Sequence, residues 1–304
     1  MTAFLLRRLG WMIITLWVVF TVSFFLMRSV PGGPYDSERV LEPEIEANFK
    51  KKYRLDLPLP EQYAYNLGET LSGDLGVSMK KDFTTNRLVR EALPVSAALG
   101  LLALAFAFSI GLVAGIVSAV FRGTFADFAL MSIATIGIAL PNFVVAGFAI
   151  ILFVFTLRWL PAAGWGSLDQ LILPALCLGA PYAAFVARIA RTGMLDVLGQ
   201  DHIRTARAKG LSPFTVVAKH ALPTALLPVV SFLGPAVAGI LTGSPVIEQI
   251  FAIPGLGWHF VQSAVDKDYP IAMGLVLLYT TVLYSMNLIV DILYGVLDPR
   301  VEWK

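Results

Sequence analysis

The chain has 304 residues, 57% of them hydrophobic and 14% charged, with a mean hydropathy of +0.74. Soluble domains carry about 25% charged residues, so this composition excludes an ordinary soluble domain and places the chain in the membrane class. The net charge of +2 carries no signal for nucleic acid, and the single cysteine, Cys177, excludes a disulfide framework.

A helix crosses the hydrocarbon with about 20 mostly apolar residues. Six stretches are candidates: roughly Leu9–Met27, Val95–Val120, Phe128–Leu157, Leu171–Ala187, Ala225–Ile247 and Ile271–Val290, the fourth being the shortest. Arg7 and Arg8 ahead of the first stretch suit a signal peptide. Its apolar core, however, runs 19 residues and ends in Met27-Arg28-Ser29-Val30-Pro31, with no small-residue cleavage site. An uncleaved anchor is expected.

With the N-terminus in the cytoplasm, 11 basic and 6 acidic residues fall on the inner side, against 12 and 15 on the outer side. Eight of the outer cations lie between Arg39 and Arg87, in one long loop where the positive-inside bias is weak. Both termini are therefore expected in the cytoplasm. The fold class is an all-α membrane protein in two regions. Residues 1–94 hold the first helix and a long outer loop, and residues 95–304 a five-helix core.

In the outer loop, Pro43 with Glu44 and Glu46 ahead of Lys50, Lys51 and Lys52 matches the helix dipole. Leu57-Pro58-Leu59-Pro60 breaks that helix, and Glu61–Leu71 reads as a second one. Gly73-Asp74-Leu75-Gly76 is a turn, and Thr85 or Asn86 is placed to cap a third short helix ending at Leu93. The loop has too few apolar residues for its own core, so it is expected to lie on the membrane body or a partner.

Pro141-Asn142 interrupts the third span, and Pro228, Gly234, Pro235, Gly239 and Gly243 the fifth. Membrane helices tolerate such breakers where neighbours satisfy the freed backbone groups. Asn142, Ser231, Thr242 and Ser244 are polar groups in these spans and are candidates to line a pathway. Spans two, three and five carry no Asp, Glu, Lys or Arg. Buried charge is the usual mark of ion coupling, so an ion-driven secondary transporter is disfavoured. An intramembrane enzyme is disfavoured too: Gly243-Ser244 is the nearest nucleophile-like pair, and His202, His220 and His259 all fall in predicted loops. No catalytic residue is expected. No histidine or cysteine cluster has metal-ligand spacing, so no metal site is expected either.

The remaining feature is a basic inner loop at about residues 193–224. Ile203–Lys209 mixes Ala206 and Ala208 with Arg204, Arg207 and Lys209, a helix whose small side chains suit close contact. Gly210 ends it, and Ser212 and Pro213 supply an N-cap and a first helical residue for the next. Attraction to anionic membrane lipid, worth about 1 kcal/mol per basic residue, requires positive charge but no such punctuation. An ordered loop on a membrane body with no energy source of its own points to a docking site for one.

The chain resembles the membrane-spanning subunits of binding-protein-dependent ATP-binding-cassette importers. Their inner loop carries Glu-Ala-Ala, three residues, Gly, nine residues, then Ile-x-Leu-Pro. Aligned on Gly210, the spacer is Leu211–Lys219 and Leu222-Pro223 falls on Leu-Pro, while Arg204-Thr205-Ala206 and His220 depart from the pattern. These departures resemble the peptide and nickel branch. Phe4-Leu5-Leu6-Arg7-Arg8-Leu9, Gly73-Asp74-Leu75-Gly76, Pro254-Gly255-Leu256-Gly257 and Val290-Asp291-Ile292-Leu293-Tyr294-Gly295 resemble its signatures. Pro31-Gly32-Gly33-Pro34 through Glu44, and Gly234-Pro235-Ala236 through Thr242-Gly243-Ser244-Pro245-Val246-Ile247-Glu248, are most similar to the first permease subunit of oligopeptide importers.

The resemblance implies a six-helix, type I importer permease fold in a bacterial inner membrane. It implies a heterodimer with a second homologous permease subunit, above two ATPase subunits that carry the ATP and Mg, with no cofactor on this chain. An extracytoplasmic binding protein would deliver oligopeptide. Ile203, Arg204, Thr205, Ala206, Arg207, Ala208, Lys209, Gly210 and Leu211 would form the helix that couples to one ATPase. Dipeptides, nickel, glutathione and peptide antibiotics are the alternative cargoes.

Overall fold

Backbone groups in hydrocarbon have no water to bond, so long apolar runs must satisfy themselves as helices. The computed structural model describes residues 2–30, 43–241 and 244–297, and these are helical apart from connecting turns and one isolated bridge between Val77 and Thr84. Thr242 and Gly243, the Pro31–Arg39 signature, and the terminal charges Asp298, Arg300, Glu302 and Lys304 lie outside the described residues.

In chain order the helices are α1 (Thr2–Ser29), α2 (Pro43–Lys52), α3 (Leu59–Leu71), α4 (Thr85–Val120), α5 (Phe125–Ala139) and α6 (Asn142–Ala149), which widens into a π-helical stretch Ile150–Thr156. Then come α7 (Leu168–Leu198), α8 (Asp201–Ala208), α9 (Pro213–Thr215) with a π-helical stretch Val216–Ala221, and α10 (Leu222–Ala225). The last are α11 (Leu227–Leu241), α12 (Pro245–Ile250), α13 (Leu256–Val265) and α14 (Tyr269–Leu297). Four of them (α1, α4, α7, α14) are long and apolar enough to cross a membrane, and two bent pairs bring the total to as many as six.

Three expectations are corrected. The third span is not one kinked helix: α5 and α6 meet at 115°. Leu140, forced out of the helical region by the following Pro141, is extended (ψ 133°), and Pro141 becomes the N-cap of α6. No separate short helix ends at Leu93, because α4 runs through Pro94 without stopping. Packing of Leu88 and Ala92 before it, and of Leu99 and Ala103 after it, overrides the lost hydrogen bond. The fourth span is not the shortest: its helix extends well beyond the stretch Leu171–Ala187. α7 has 31 residues and the most deeply buried spanning window, and its small residues lower its apparent hydropathy while permitting close packing.

The described helices form two compact units, one drawn from residues 1–95 and 254–284 and the other from 96–253 and 285–303. In the first, Phe20 and Phe24 of α1 pack with Met273 and Leu277 of α14, against Tyr63 and Leu67 of α3. The long loop thus takes its core from α1 and α14. The turn at residues 73–78 is pinned from two sides. Asn86 accepts from Leu75 N (2.8 Å) and donates to Gly73 O (2.6 Å), while the buried Asp268 carboxylate accepts from Ser78 Oγ and from Met79 N (3.1 Å).

The second unit is built on α4 against α7, backbone to backbone. A Cβ placed on Gly111 or Gly115 would fall 2.6 or 2.5 Å from the carbonyl oxygen of Ala183 or Ala187, and one on Gly179 2.6 Å from that of Ala103. Small residues at such crossings bring helices together in lipid, where no hydrophobic force drives them. A capping box at Ser167 and Gln170 starts α7.

Candidate coupling site

The inner loop grows directly out of α7. That helix runs past Arg188, Arg191 and Asp196 to Leu198, and after Gly199 and Gln200 the chain turns into α8. α8 is short but strongly two-faced. Ile203 (0% exposed) and Ala206 (5%) are buried against Met194 and Val197 of α7, Ala119 of α4, and Val216, Ala221 and Ala225 beyond. His202, Arg204, Thr205, Arg207, Ala208, Lys209, Gly210 and Leu211 are exposed. The nine residues named from sequence therefore divide in two. Ile203 and Ala206 anchor α8 within its own unit, and the other seven form its outward surface.

The punctuation is as the residue types demand. Gly210 has φ +77°, a conformation that costs a side-chain-bearing residue energy. Ser212 Oγ accepts from Thr215 N (3.3 Å), and Pro213 opens α9. The helix after it is not regular. It widens to π geometry over Val216–Ala221, just ahead of Pro223, which has no N–H to continue the ladder. Phe214 projects into solvent at 81% exposure, in the same loop as the exposed Arg204, Arg207, Lys209 and Lys219. The one described ion pair of α8, Arg204 to Asp201 at 3.5 Å, is exposed and holds the face only weakly.

Sequence reasoning missed the network beside this loop. Arg191 of α7 donates to Asp127 at the start of α5, Nε to Oδ1 (2.8 Å) and Nη2 to Oδ2 (2.9 Å). Asp127 also accepts from Ser118 Oγ near the end of α4 and from Gly123 N (2.9 Å) in the turn between α4 and α5. One carboxylate thereby ties the end of α4, the start of α5 and the last third of α7 together. In the sequence both residues contribute only to the inner-side charge; Asp127, three residues after Thr124 at a helix start, is the available signal.

Three of the four weaker candidates lie among the described residues, at a helix start or bonded within their own helix. Asn142 opens α6, Ser231 Oγ donates to Leu227 O (3.0 Å), and Ser244 caps α12 by accepting from Ile247 N (3.4 Å). Thr242 lies outside the described residues. A polar group not singled out, Glu248 of α12, is fully buried and accepts from Ser96 Oγ (2.7 Å). The histidines sit in helical segments and not in loops: His202 in α8, His220 in the π-helical stretch and His259 in α13. Burial and the positive charge of Lys81 push His259 down to about 4, so it is neutral at pH 7.

The likeness to known proteins extends over the whole chain. Residues 111–303 match the family model described as "Binding-protein-dependent transport system inner membrane component". The oligopeptide transport system permease protein OppB of Haemophilus influenzae is 44% identical, and that of Salmonella typhimurium 45%, each over 100% of both chains. The dipeptide transport system permease protein DppB of Bacillus subtilis is 43% identical over 99% of this chain and 98% of its own. A subunit of the MetNI methionine ABC transporter, solved in inward-facing conformations, superposes with TM-score 0.56 at 22% identity, over 69% of this chain and 96% of its own. At that identity the likeness speaks for the fold, which is the helical fold of ABC importer membrane subunits. A family model spanning the α4-to-C-terminal region and relatives matched from end to end agree, and the chain belongs to the family of binding-protein-dependent transport system inner membrane components.

Proposed function

We propose that this chain is one of two permease subunits of an ATP-driven peptide importer, and that α8 couples it to an ATPase. It is a multi-pass protein of the bacterial inner membrane, here read as six spans with both termini in the cytoplasm. Its partners are a second, homologous permease, two ATPase subunits that hold ATP and Mg, and an extracytoplasmic binding protein. The observation that carries the coupling role is the division of α8 into a buried apolar edge and an exposed cationic face.

The mechanism follows from that division. An ATPase cleft with acidic walls would take Arg204, Arg207 and Lys209, with Phe214 as an apolar anchor; arginine and aromatic residues dominate such interfaces. Closure of the ATPase pair pushes on α8. Ile203 and Ala206 pass the displacement into α7 and α4, and the Asp127–Arg191 pair carries it to α5. The helices then move as one body between two arrangements. The chain transmits force and performs no chemistry.

Oligopeptides are the first reading of the cargo, because the OppB proteins match this chain from end to end. Dipeptides are the second, supported by the 43% identical DppB. The test is Gly210→Asp in the reconstituted complex. At φ +77° the substitution reshapes the end of α8 without touching the core. Membrane insertion is expected to persist while ATP hydrolysis stimulated by peptide-loaded binding protein is lost. Unchanged stimulation and uptake would refute the coupling role.

A further inference from the structure

In the unit drawn from residues 1–95 and 254–284, a cavity of about 210 Å³ lies at the C-terminal end of α1. Three cations line it: Arg28 from the last turn of α1, Lys52 from α2, and Arg54 from the turn beyond. Each is set against an aromatic ring. The Arg28 guanidinium lies 4.1 Å from the Phe24 centroid and 5.6 Å from Tyr269, Lys52 Nζ 5.2 Å from Tyr53, and Arg54 3.3 Å from Tyr65. Arg28 Nε donates to Gln62 Oε1 at 2.7 Å. Among the described residues, none of the three forms an ion pair with a carboxylate. Two acids also line the cavity, each accepting from a neighbour in its wall: Glu69 from Tyr65 Oη, and Asp74 from Gly76 N (2.9 Å).

We infer that this cavity holds the phosphate headgroup of an anionic phospholipid. Depth argues for lipid. Arg28 directly follows the apolar run Leu9–Met27, which puts its guanidinium at headgroup level with tyrosines around it, the arrangement of a membrane interface. In the two turns of α1 before Arg28, Val22, Phe25 and Leu26 are apolar and exposed, and would offer acyl chains a surface. Size argues against cargo. Sites for drug-sized ligands start at about 300 Å³, and 210 Å³ accepts a headgroup but not an oligopeptide. Cations held over rings with free donors bind a phosphate oxygen as a charge-assisted acceptor.

The test is lipid retention by the intact purified importer, read by native mass spectrometry after release from vesicles of equal phosphatidylglycerol and phosphatidylcholine. The natural complex is expected to keep phosphatidylglycerol. Arg28→Gln or Arg54→Gln should each lower its retention about fivefold, the worth of one basic residue at an anionic surface, and leave phosphatidylcholine unchanged. Arg54 is exposed on a turn, so its variant reports even if Arg28→Gln fails to assemble. Equal retention of phosphatidylglycerol by both variants would overturn the inference. Displacement of the lipid by inorganic phosphate would mark a free-anion site, displacement by substrate peptide a cargo site, and either would overturn it as well. The readout does not involve transport and is independent of the cargo.

Discussion

Arg191 and Asp127 form a two-pronged hydrogen-bonded ion pair, 2.8 and 2.9 Å, between the last third of one long helix and the first turn of another. Ser118 and Gly123 fill the remaining acceptor positions of the carboxylate. The pair fixes α5 to α7. Removing either partner leaves the other charge poorly solvated, whereas removing both does not. Asp127→Ala and Arg191→Ala should each lower the thermal midpoint of the purified complex. The double variant should lose less than the sum of the two. Additive losses would show that the pair carries no coupling energy.

The α4–α7 crossing predicts a contrast between glycines. A methyl group on Gly115 would meet Ala187 O at 2.5 Å and Ala190 Cβ at 2.7 Å, so Gly115→Ala must push the helices apart, an overpacking cost of about 1–3 kcal/mol. Gly147 in α6 has nothing within 4 Å, and Gly147→Ala should be neutral or stabilise by up to about 1 kcal/mol through helix propensity. Thermal unfolding of the two variants in the same detergent checks the difference.

Much of this was legible in the sequence and some was not. The ends of α8 and α9 were readable because Gly210, Ser212 and Pro213 act through their own backbone preferences. The burial of Ile203 and Ala206 was not, since a short helix of mixed small and cationic residues does not reveal which edge faces its own protein. Pro141 announced a break, but the 115° angle depends on how α6 packs against α7. Pro94 announced a helix end that α4 ignores, because buried side chains on both sides hold the helix through it. The Asp127–Arg191 pair joins residues 64 positions apart, beyond any local pattern.

His259 gives a pH prediction. Its folded value of about 4 lies below the ordinary value of 6.5, because burial and Lys81 disfavour the charged ring. Between those two values the unfolded chain binds the extra proton. The stability is therefore fully present above about pH 6.5 and is lost progressively as pH falls toward 4. His259→Gln should flatten the fall of the thermal midpoint between pH 7 and pH 4.5. An unchanged slope would assign the acid sensitivity to other groups.

Asp268 gives a local prediction. Its buried carboxylate accepts from Ser78 Oγ and Met79 N and is the direct hold on the far side of the Gly73–Ser78 turn. Hydrogen bonds to a charged group contribute about 1.5–3 kcal/mol. Asp268→Ala should raise amide hydrogen exchange across residues 73–83, while exchange in α7 stays as it was. Unchanged exchange in the turn would mean that Asn86 alone holds it.

The central claim is that the outward face of α8 docks the ATPase while its inward edge only anchors it. The most direct measurement is the subunit content of the affinity-purified complex carrying Arg204→Glu and Arg207→Glu together. The account predicts that the second permease subunit co-purifies in natural amount and the ATPase is lost. Full recovery of the ATPase, with peptide-stimulated hydrolysis intact, would contradict it.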